Sequence, residues 1–299
     1  MILAAALSWL ATGAFVRLAL ARDWGKRPRA DGPRSHLAKA GTPTLGGVAF
    51  LPVAIVLALL GDGSLLAWAA AGLVAASGAI GLIDDIAGLR RAASGDANPS
   101  LGLFARQKLL LQSTAALAFA ILAVNTGIAT TGLPAVDVLL YSFAIVATVN
   151  AINFTDGLDG LAAGVAAIAL LPFYTLPLAG ATIGACAGFL WFNARPARIM
   201  MGDSGSHGLG AALAASAILT GNLWLLPLVA VVPVAEVLSV IVQVIYFRAT
   251  GGRRLLKMSP LHHHLELSGW PEEKVTVRLW IITAVATAGA WAILQGAPA

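Results

Sequence analysis

Long apolar runs separated by short polar segments extend along the chain from end to end. Most runs approach or reach about 20 residues, the length that a helix needs to cross the hydrocarbon core of a bilayer. The pattern predicts an all-α, polytopic integral membrane protein with about ten transmembrane helices in a single domain, 1–299. The predicted spans are 2–20, 44–61, 64–83, 108–125, 135–152, 159–174, 177–192, 206–220, 222–247 and 277–296.

Composition agrees with this class. Hydrophobic residues make up 59% of the chain and charged residues 11%, whereas a soluble domain carries about 25% charged residues. The first run, 1–20, has no basic residue before it and no small-residue cleavage site after it, so we expect a retained helix rather than a signal peptide. The single cysteine, Cys186, allows no internal disulfide.

The positions of the basic residues predict the orientation. If the spans alternate, all 19 Lys and Arg fall on one side of the membrane or within a turn of it. Such an excess marks the cytoplasmic side, so we place the polar segments 22–43, 84–107 and 248–276 there and both termini outside. The opposite loops without Lys or Arg are 61–64, 126–134, 175–176 and 221. A net charge of +5 spread over short loops fits a membrane surface and argues against a nucleic-acid partner.

Four clusters of acidic or histidine residues interrupt the apolar pattern. Each lies where an apolar run meets a polar segment, and the predicted topology puts all four at the cytoplasmic face. Carboxylates near a bilayer are costly, and a membrane protein that keeps several usually uses them. We therefore expect one active site at this face. The clusters are Asp84-Asp85 in GLIDDIAGL, Asp156 and Asp159 in NAINFTDGLDGLAAG, Asp203 in MGDSGSHGLG, and His262-His263-His264 in SPLHHHLE.

Spacing limits what the aspartates can do. Adjacent carboxylates on a helix point about 100° apart, so one of Asp84 and Asp85 can face a pocket while the other binds or orients another group. Asp203 lies between glycine-containing turns before a predicted span. It is well placed as a ligand for Mg²⁺, which takes one or two carboxylates together with substrate phosphates. Ser204 or Ser206 is placed to cap the following helix.

A polar stripe is predicted in the second cluster, because polar residues recur at every third position. The stripe consists of Asn150, Asn153, Asp156 and Asp159. Gly157 and Gly160 interrupt it, and Gly-rich turns expose backbone N–H groups to phosphate. The three consecutive histidines cannot all face one metal ion from a helix, so we expect two of them to contact an anionic substrate.

Together the clusters indicate Mg²⁺-assisted phosphoryl transfer between a water-soluble donor and a lipid acceptor. An ion-coupled transporter is the alternative from another class, since such carriers also combine intramembrane acids with glycine-broken spans. Against a transporter, the acids lie at one face rather than at the midplane of the membrane, and no inverted repeat is visible.

The acidic motifs resemble those of the polyprenyl-phosphate N-acetylhexosamine-1-phosphate transferases. The matching stretches are Ile83-Asp84-Asp85, NAINFTDGLDGLAAG and MGDSGS. Three more resemble the branch of that family whose donor is UDP-MurNAc-pentapeptide: GPRSHLAKAGTPTLGG (32–47), ARQKLLLQ (105–112) and KMSPLHHHLELSGWPEEKVTVRLWII (257–282). The resemblance implies transfer of phospho-MurNAc-pentapeptide to undecaprenyl phosphate, giving lipid I and UMP. It further implies Mg²⁺ as cofactor, the bacterial cytoplasmic (inner) membrane as location, and a homodimer as one allowed assembly.

The resemblance also implies roles for individual residues. Asp203, with Asn153, is the expected metal ligand, and Asp84 or Asp85 is expected to activate the lipid phosphate or to help hold the metal. Asn153 and Asp156 are expected to line the catalytic cleft. The expected substrate contacts are Gly157, Leu158 and Asp159 at the uridine end with Met200 nearby, then His262, His263 and His264, and finally Lys39, Thr44 and Gln243 on the donor.

One departure from the branch keeps a second donor open. The branch places a Lys three positions after the Asp pair, where this chain has Gly88. In this respect DDIAGL is more similar to enzymes that use UDP-N-acetylglucosamine for surface polysaccharide or teichoic acid. The histidine segment 257–282 instead favours UDP-MurNAc-pentapeptide. His207 is a further departure, since the branch usually has an apolar residue there.

Overall fold

Every regular element that the computed structural model describes is a helix. The described residues are 1–22, 41–93 and 102–296, so Lys39, one of the predicted donor contacts, lies outside them. The helices are α1 (Ile2–Ala21), α2 (Gly47–Gly61), α3 (Leu65–Ala93), α4 (Ala105–Asn125), α5 (Pro134–Thr155), α6 (Leu161–Ala169), α7 (Pro177–Asn193), α8 (Gly202–Leu219), α9 (Leu226–Val229), α10 (Val231–Ala249), α11 (Leu261–Leu267) and α12 (Glu272–Gly296).

Six of these helices are long and apolar enough, by length and composition, to cross a membrane. They are α1, α3, α4, α5, α10 and α12. Helix α2 is apolar but shorter, with 15 residues. Several long apolar helices in one chain agree with the predicted class, an all-helical membrane protein.

The helices differ from the predicted spans at two proline-containing breaks. The run 159–174 forms α6, which has only nine residues, followed by a 3₁₀ turn at Leu171–Phe173. The run 222–247 is not one helix, because the chain leaves helical geometry at Ala230 between α9 and α10. Proline lacks an N–H and fits the first turn of a helix better than its interior, and Pro227 lies in the first turn of α9 accordingly.

Helix α8 is the centre of the bundle. Its residues from Gly202 to Ile218 are buried apart from a partly exposed Asp203, and it packs mainly against α3 and α5. Glycine makes these contacts close: a Cβ at Gly81 would fall on the backbone of Asp203, and a Cβ at Gly210 on the backbone of Val149. Small residues let helix backbones approach closely in membranes. The close approach fixes α8, and thus Asp203, against α3.

The outer helices turn large apolar side chains away from the bundle. Phe143 and Trp191 are each 72% exposed and Val285 is 69% exposed. In water such a surface would be an association site, but around a membrane bundle it is the surface that lipid covers. The polar side chains of the predicted site lie instead at one end of α3, α4, α5 and α8.

Candidate active site

The centre of the site is an ammonium group between two carboxylates. Lys108 Nζ lies 3.1 Å from Asp84 Oδ2 and 2.9 Å from Asp203 Oδ2. The three side chains come from α4, α3 and α8, and they are 20%, 13% and 27% exposed. A partly exposed group of two acids and one base carries one excess negative charge, and such a group can bind a further cation or exchange one.

Asp84 is held on its other side by the chain that enters α4. Its Oδ1 accepts the backbone N–H of Leu103 at 2.5 Å. Gly102 lies so close that a Cβ there would fall on the Asp84 carboxylate. The carboxylate is therefore fixed in orientation by groups other than Lys108.

Asp85 points in a different direction and caps α8. Its two oxygens accept the backbone N–H groups of Asp203 and Ser204, each at 3.1 Å. The first N–H groups of a helix have no partner within the helix, and a carboxylate that accepts them also interacts favourably with the helix dipole. The expectation that Ser204 or Ser206 caps this helix is wrong, since the cap comes from another helix. The expectation that Asp84 and Asp85 face different groups is confirmed.

Gly202, which begins α8, makes this cap possible. Its φ of +72° is in the left-handed region that favours glycine. A Cβ there would lie 2.6 Å from Asp85 Oδ2. The sequence Met-Gly-Asp therefore provides the turn that presents two N–H groups to Asp85 and places the Asp203 side chain beside Lys108.

Asn153 orients Asp203 from α5. Its amide nitrogen donates to Asp203 Oδ1 and to Ser206 Oγ, both at 3.0 Å. As a metal ligand Asn153 would have to present its oxygen instead, so that role stays a prediction. One turn earlier, Asn150 donates to Gln112 Oε1 at 2.8 Å and joins α5 to α4. The polar stripe is therefore helical only at Asn150 and Asn153, because α5 ends at Thr155.

The second half of the stripe forms a turn that joins several helices. Asp156 directly follows α5 and is partly exposed. Asp159 is buried, and its Oδ2 accepts the N–H of Ala197 at 3.0 Å. The Asp159 N–H donates to Glu272 Oε1 of α12 at 2.8 Å, and Glu272 also pairs with Arg195. Asp159 thus holds this turn to two neighbouring segments, which gives it a structural contact beside its predicted role at the uridine end.

The three histidines lie in the short helix α11 and contact three different partners. His262 is buried; its Nδ1 lies 3.2 Å from Glu236 Oε2 of α10, and its ring packs against Gly157. His263 Nδ1 lies 3.1 Å from Glu266 Oε2. His264 Nδ1 accepts the N–H of Lys257 at 3.1 Å. His263 and His264 remain partly exposed, whereas His262 fixes α11 to the turn after α5.

The remaining predicted substrate contacts border this region. Gln243 is buried, and its Oε1 accepts the N–H groups of Leu255 and Leu256, so it holds the segment before α11.

The Thr44 hydroxyl is buried without a hydrogen-bond partner among the described residues. Met200 pairs its backbone with Pro43 and Gly46 just before α8. Leu158 is buried in an apolar cluster with α12. None of these side chains contacts the Asp84–Lys108–Asp203 group directly in the described hydrogen bonds.

Lys108 was not among the predicted site residues. In the sequence it served only as a marker of the cytoplasmic side and as part of ARQKLLLQ. A signal was nevertheless present: Lys108 lies in the first turn of α4, where a positive charge opposes the helix dipole. A Lys in that position needs compensation from acidic groups, which here come from α3 and α8.

The carboxylate oxygens of the site suit a hard cation that also binds phosphate oxygens of a substrate. Among the described residues, no group of three His, Cys, Asp or Glu side chains is arranged to hold a metal ion. Two carboxylates converge on one position, which is now taken by the Lys108 ammonium. Mg²⁺ commonly binds through one or two carboxylates and completes its shell with water and substrate phosphates, and Asp84 with Asp203 fits that requirement.

Comparisons with known proteins cover the whole site. Glycosyl transferase family 4 matches residues 67–221, a range that includes Asp84, Lys108, Asn153 and Asp203. A protein of Deinococcus radiodurans named phospho-N-acetylmuramoyl-pentapeptide-transferase is 44% identical over 319 residues, covering 100% of both chains. Proteins with the same name are 47% identical in Deinococcus deserti, again over 100% of both chains, and 44% identical in a Synechococcus strain, over 91% of this chain and 85% of that one.

Proposed function

The chain belongs to glycosyl transferase family 4, among the phospho-N-acetylmuramoyl-pentapeptide-transferases, and on that premise we propose its reaction and its substrates. The donor is UDP-MurNAc-pentapeptide, the acceptor undecaprenyl phosphate, and the products are lipid I and UMP. The observation that carries the proposal is the convergence of Asp84, Lys108, Asn153 and Asp203 from four helices at one end of the bundle. The predicted topology puts that end at the cytoplasmic face, where a soluble anionic donor can meet a lipid phosphate.

The proposed orientation of the protein in the membrane follows from which helix ends lie together at each end of the bundle. Leu176, Asp62 and Leu219 line one small cavity, so the starts or ends of α2, α7 and α8 meet there, opposite Asp203. Met1 packs on Gly184, and Trp291 stacks on Tyr174 with ring centroids 5.5 Å apart. The start of α1 and the last turns of α12 therefore lie toward the end away from the acids. This supports a cytoplasmic active site, outside termini and about ten crossings of a bacterial inner membrane.

The short helix α6 is part of a segment that runs from one end of the bundle to the other, and we infer that this segment crosses the membrane. The chain passes from Asp159, beside the active-site turn, through α6 and the 3₁₀ turn to Leu176 at the opposite end. The predicted sixth span is thus partly irregular. Its 3₁₀ turn still pairs backbone groups, since the N–H groups of Phe173 and Tyr174 donate to the carbonyl oxygens of Leu170 and Leu171, as backbone within a membrane requires.

In the proposed mechanism the described residues bind and orient the reacting phosphates. When bound, Mg²⁺ would neutralise charge on the donor diphosphate and stabilise the departing UMP phosphate. Asp84 and Asp203 would hold it, with Asn153 as the further predicted ligand. In the structure the Asn153 amide nitrogen donates to Asp203 Oδ1 and keeps that carboxylate in position. An oxygen of the lipid phosphate forms the new bond to the sugar-bearing phosphorus, while the bond from that phosphorus to the UMP phosphate breaks. Asp85 fixes the start of α8 and thereby the position of Asp203.

The donor is proposed to lie beside the turn after α5, next to the partly exposed His263 and His264 of α11. Gly157 and Leu158 lie in this turn, and His264 Nδ1 accepts the N–H of Lys257 from the segment that precedes α11. Such an arrangement offers backbone N–H groups and imidazoles to an anionic nucleotide. A homodimer remains an expectation of the family resemblance, which light scattering of the detergent-purified protein tests.

The proposed reaction is tested with purified protein in detergent. Undecaprenyl phosphate and Mg²⁺ are supplied with UDP-MurNAc-pentapeptide in one sample and with UDP-N-acetylglucosamine in another, and released UMP and extracted lipid product are both measured. We expect turnover with the pentapeptide donor and its loss on chelation with EDTA. Turnover with UDP-N-acetylglucosamine alone would contradict the donor assignment, and equal turnover in EDTA would contradict the metal assignment.

A further inference from the structure

The Lys108 ammonium occupies the position in which a divalent cation would contact both carboxylates. Its Nζ lies 3.1 Å from Asp84 Oδ2 and 2.9 Å from Asp203 Oδ2. Mg²⁺ needs oxygen ligands at about 2.0–2.1 Å. An ammonium group at its present distances and a metal ion bound by the same two oxygens cannot occupy this space together. One cation must leave when the other enters.

The two carboxylates are held in place without Lys108. Asp84 Oδ1 accepts the Leu103 N–H, and Asp203 Oδ1 accepts the Asn153 amide. In both carboxylates, Oδ1 is held by one of these other groups and Oδ2 faces Lys108. If Lys108 moves away, both carboxylates keep their orientation and present a preformed binding position.

The Lys108 side chain is long and flexible enough to reach a second position. Its ammonium is carried on a flexible four-carbon stem with rotatable donors. The side chain is 20% exposed, and it begins in the first turn of α4. A phosphate that arrives beside the carboxylates would offer the ammonium a new anionic partner within reach of its stem.

We propose that Lys108 fills the cation position while no donor is bound, and transfers to the donor diphosphate when the divalent cation enters. This inference rests on the proposed function for the identity of the diphosphate. The consequence is that the divalent cation and the diphosphate each raise the affinity of the protein for the other. A divalent cation that binds alone must break both ion pairs of Lys108 and leaves its ammonium without a new anionic partner. A diphosphate that binds alone is repelled by the two carboxylates, because Lys108 neutralises only one of their two charges.

The test is direct binding of Mn²⁺, as a spectroscopic substitute for Mg²⁺, measured by electron paramagnetic resonance without any turnover. UDP is the diphosphate probe. We expect wild-type protein to bind Mn²⁺ weakly alone and more tightly with UDP, by at least about fivefold, the lower end of typical coupling between two ligands. Reciprocity requires Mn²⁺ to raise the affinity for UDP by the same factor.

Lys108→Met should uncouple the two ligands. It should bind Mn²⁺ without UDP at least about fivefold more tightly than wild type, because no ion pair has to be broken, and UDP should add less to that affinity. Lys108→Arg keeps the positive charge and should resemble wild type. Arg106→Met is the matched control, since it removes an equal charge from an exposed side chain two residues away, and it should leave Mn²⁺ binding unchanged.

Two outcomes would overturn the inference. One is Mn²⁺ binding to Lys108→Met that is no tighter than binding to wild type or to Arg106→Met. The other is wild-type Mn²⁺ affinity that does not change with UDP, a measurement that holds even if the Lys108 variants fail to fold. Failure of the proposed function would show elsewhere, as the absence of lipid product from wild-type protein supplied with UDP-MurNAc-pentapeptide.

Discussion

The different partners of Asp84 and Asp85 predict different consequences for two otherwise identical substitutions. Asp85→Asn keeps one oxygen for one backbone N–H of α8 but turns an NH₂ group toward the other. It therefore loses one charge-assisted hydrogen bond and leaves a poorly paired N–H, a cost of roughly 1.5–3 kcal/mol. Asp84→Asn can still accept the Leu103 N–H with its amide oxygen, and Lys108 keeps Asp203 as partner. A partly exposed ion pair contributes about 0–1 kcal/mol, so its loss should change stability less.

Both substitutions should reduce turnover, for separate reasons. Asp84→Asn removes a proposed cation ligand. Asp85→Asn lets the first turn of α8 shift, and a displacement of about 1 Å in a catalytic group can reduce the rate about 10²-fold. Turnover alone would therefore not separate the two residues. The difference should appear in the free energy of unfolding, which falls for Asp85→Asn and stays near the wild-type value for Asp84→Asn.

Thermal unfolding in detergent provides the measurement. Cys186 is the single cysteine of the chain and is buried in α7, so a dye that fluoresces on reaction with thiols reports when the bundle opens. Asp62→Asn is the control, because Asp62 Oδ1 also accepts a backbone N–H, that of Ser64 at 2.8 Å, but at the opposite end of the bundle. We expect it to retain full turnover. If Asp85→Asn unfolds at the wild-type temperature while Asp84→Asn unfolds earlier, the capping argument is refuted.

Three further substitutions test other parts of the site. Asp203→Ala should abolish turnover and leave a folded protein, because the side chain is partly exposed and its removal opens no core cavity; near-normal UMP release at low Mg²⁺ would contradict its role as a ligand. Gly81→Ala should destabilise the bundle by roughly 1–3 kcal/mol, as expected for overpacking, since its Cβ would fall on the Asp203 backbone. Gly72→Ala in the same helix has open space around its Cβ and should be tolerated, so equal effects of the two on thermal unfolding would argue against the close α3–α8 contact. His263→Ala should weaken the use of the nucleotide donor more than that of the lipid, and steady-state kinetics that change only the apparent affinity for polyprenyl phosphate would count against a donor-facing α11.

The location of the site could be predicted because polar residues in an apolar chain are rare. Asp84, Asn153 and Asp203 stood out as interruptions of apolar runs, and the distribution of Lys and Arg placed them at a common face. The divergence of Asp84 and Asp85 followed from helix geometry alone. These inferences use only local periodicity and the chemistry of the bilayer, both of which a single sequence contains.

The contacts between helices could not be predicted in this way. Lys108 pairs with acids from two other helices, and Asp159 contacts residues near 197 and 272. Such pairings depend on how helices pack, which periodicity does not specify. The run 222–247 was predicted as a single span because it is predominantly apolar. Its Pro227 and Pro233 favour a bend, but they do not specify that the helix breaks at Ala230.

The cap that Asp85 forms on α8 has a mechanical consequence for the spacing of the two proposed cation ligands. Asp84 and Asp85 are neighbours on α3, and Asp85 holds the backbone N–H of Asp203 itself. A rigid tilt or slide of α3 therefore carries the first turn of α8 with it, and the Asp84 and Asp203 carboxylates travel as one body. If the acceptor is the proposed polyprenyl phosphate, the bundle can flex elsewhere to admit its long chain without changing the distance between these two carboxylates.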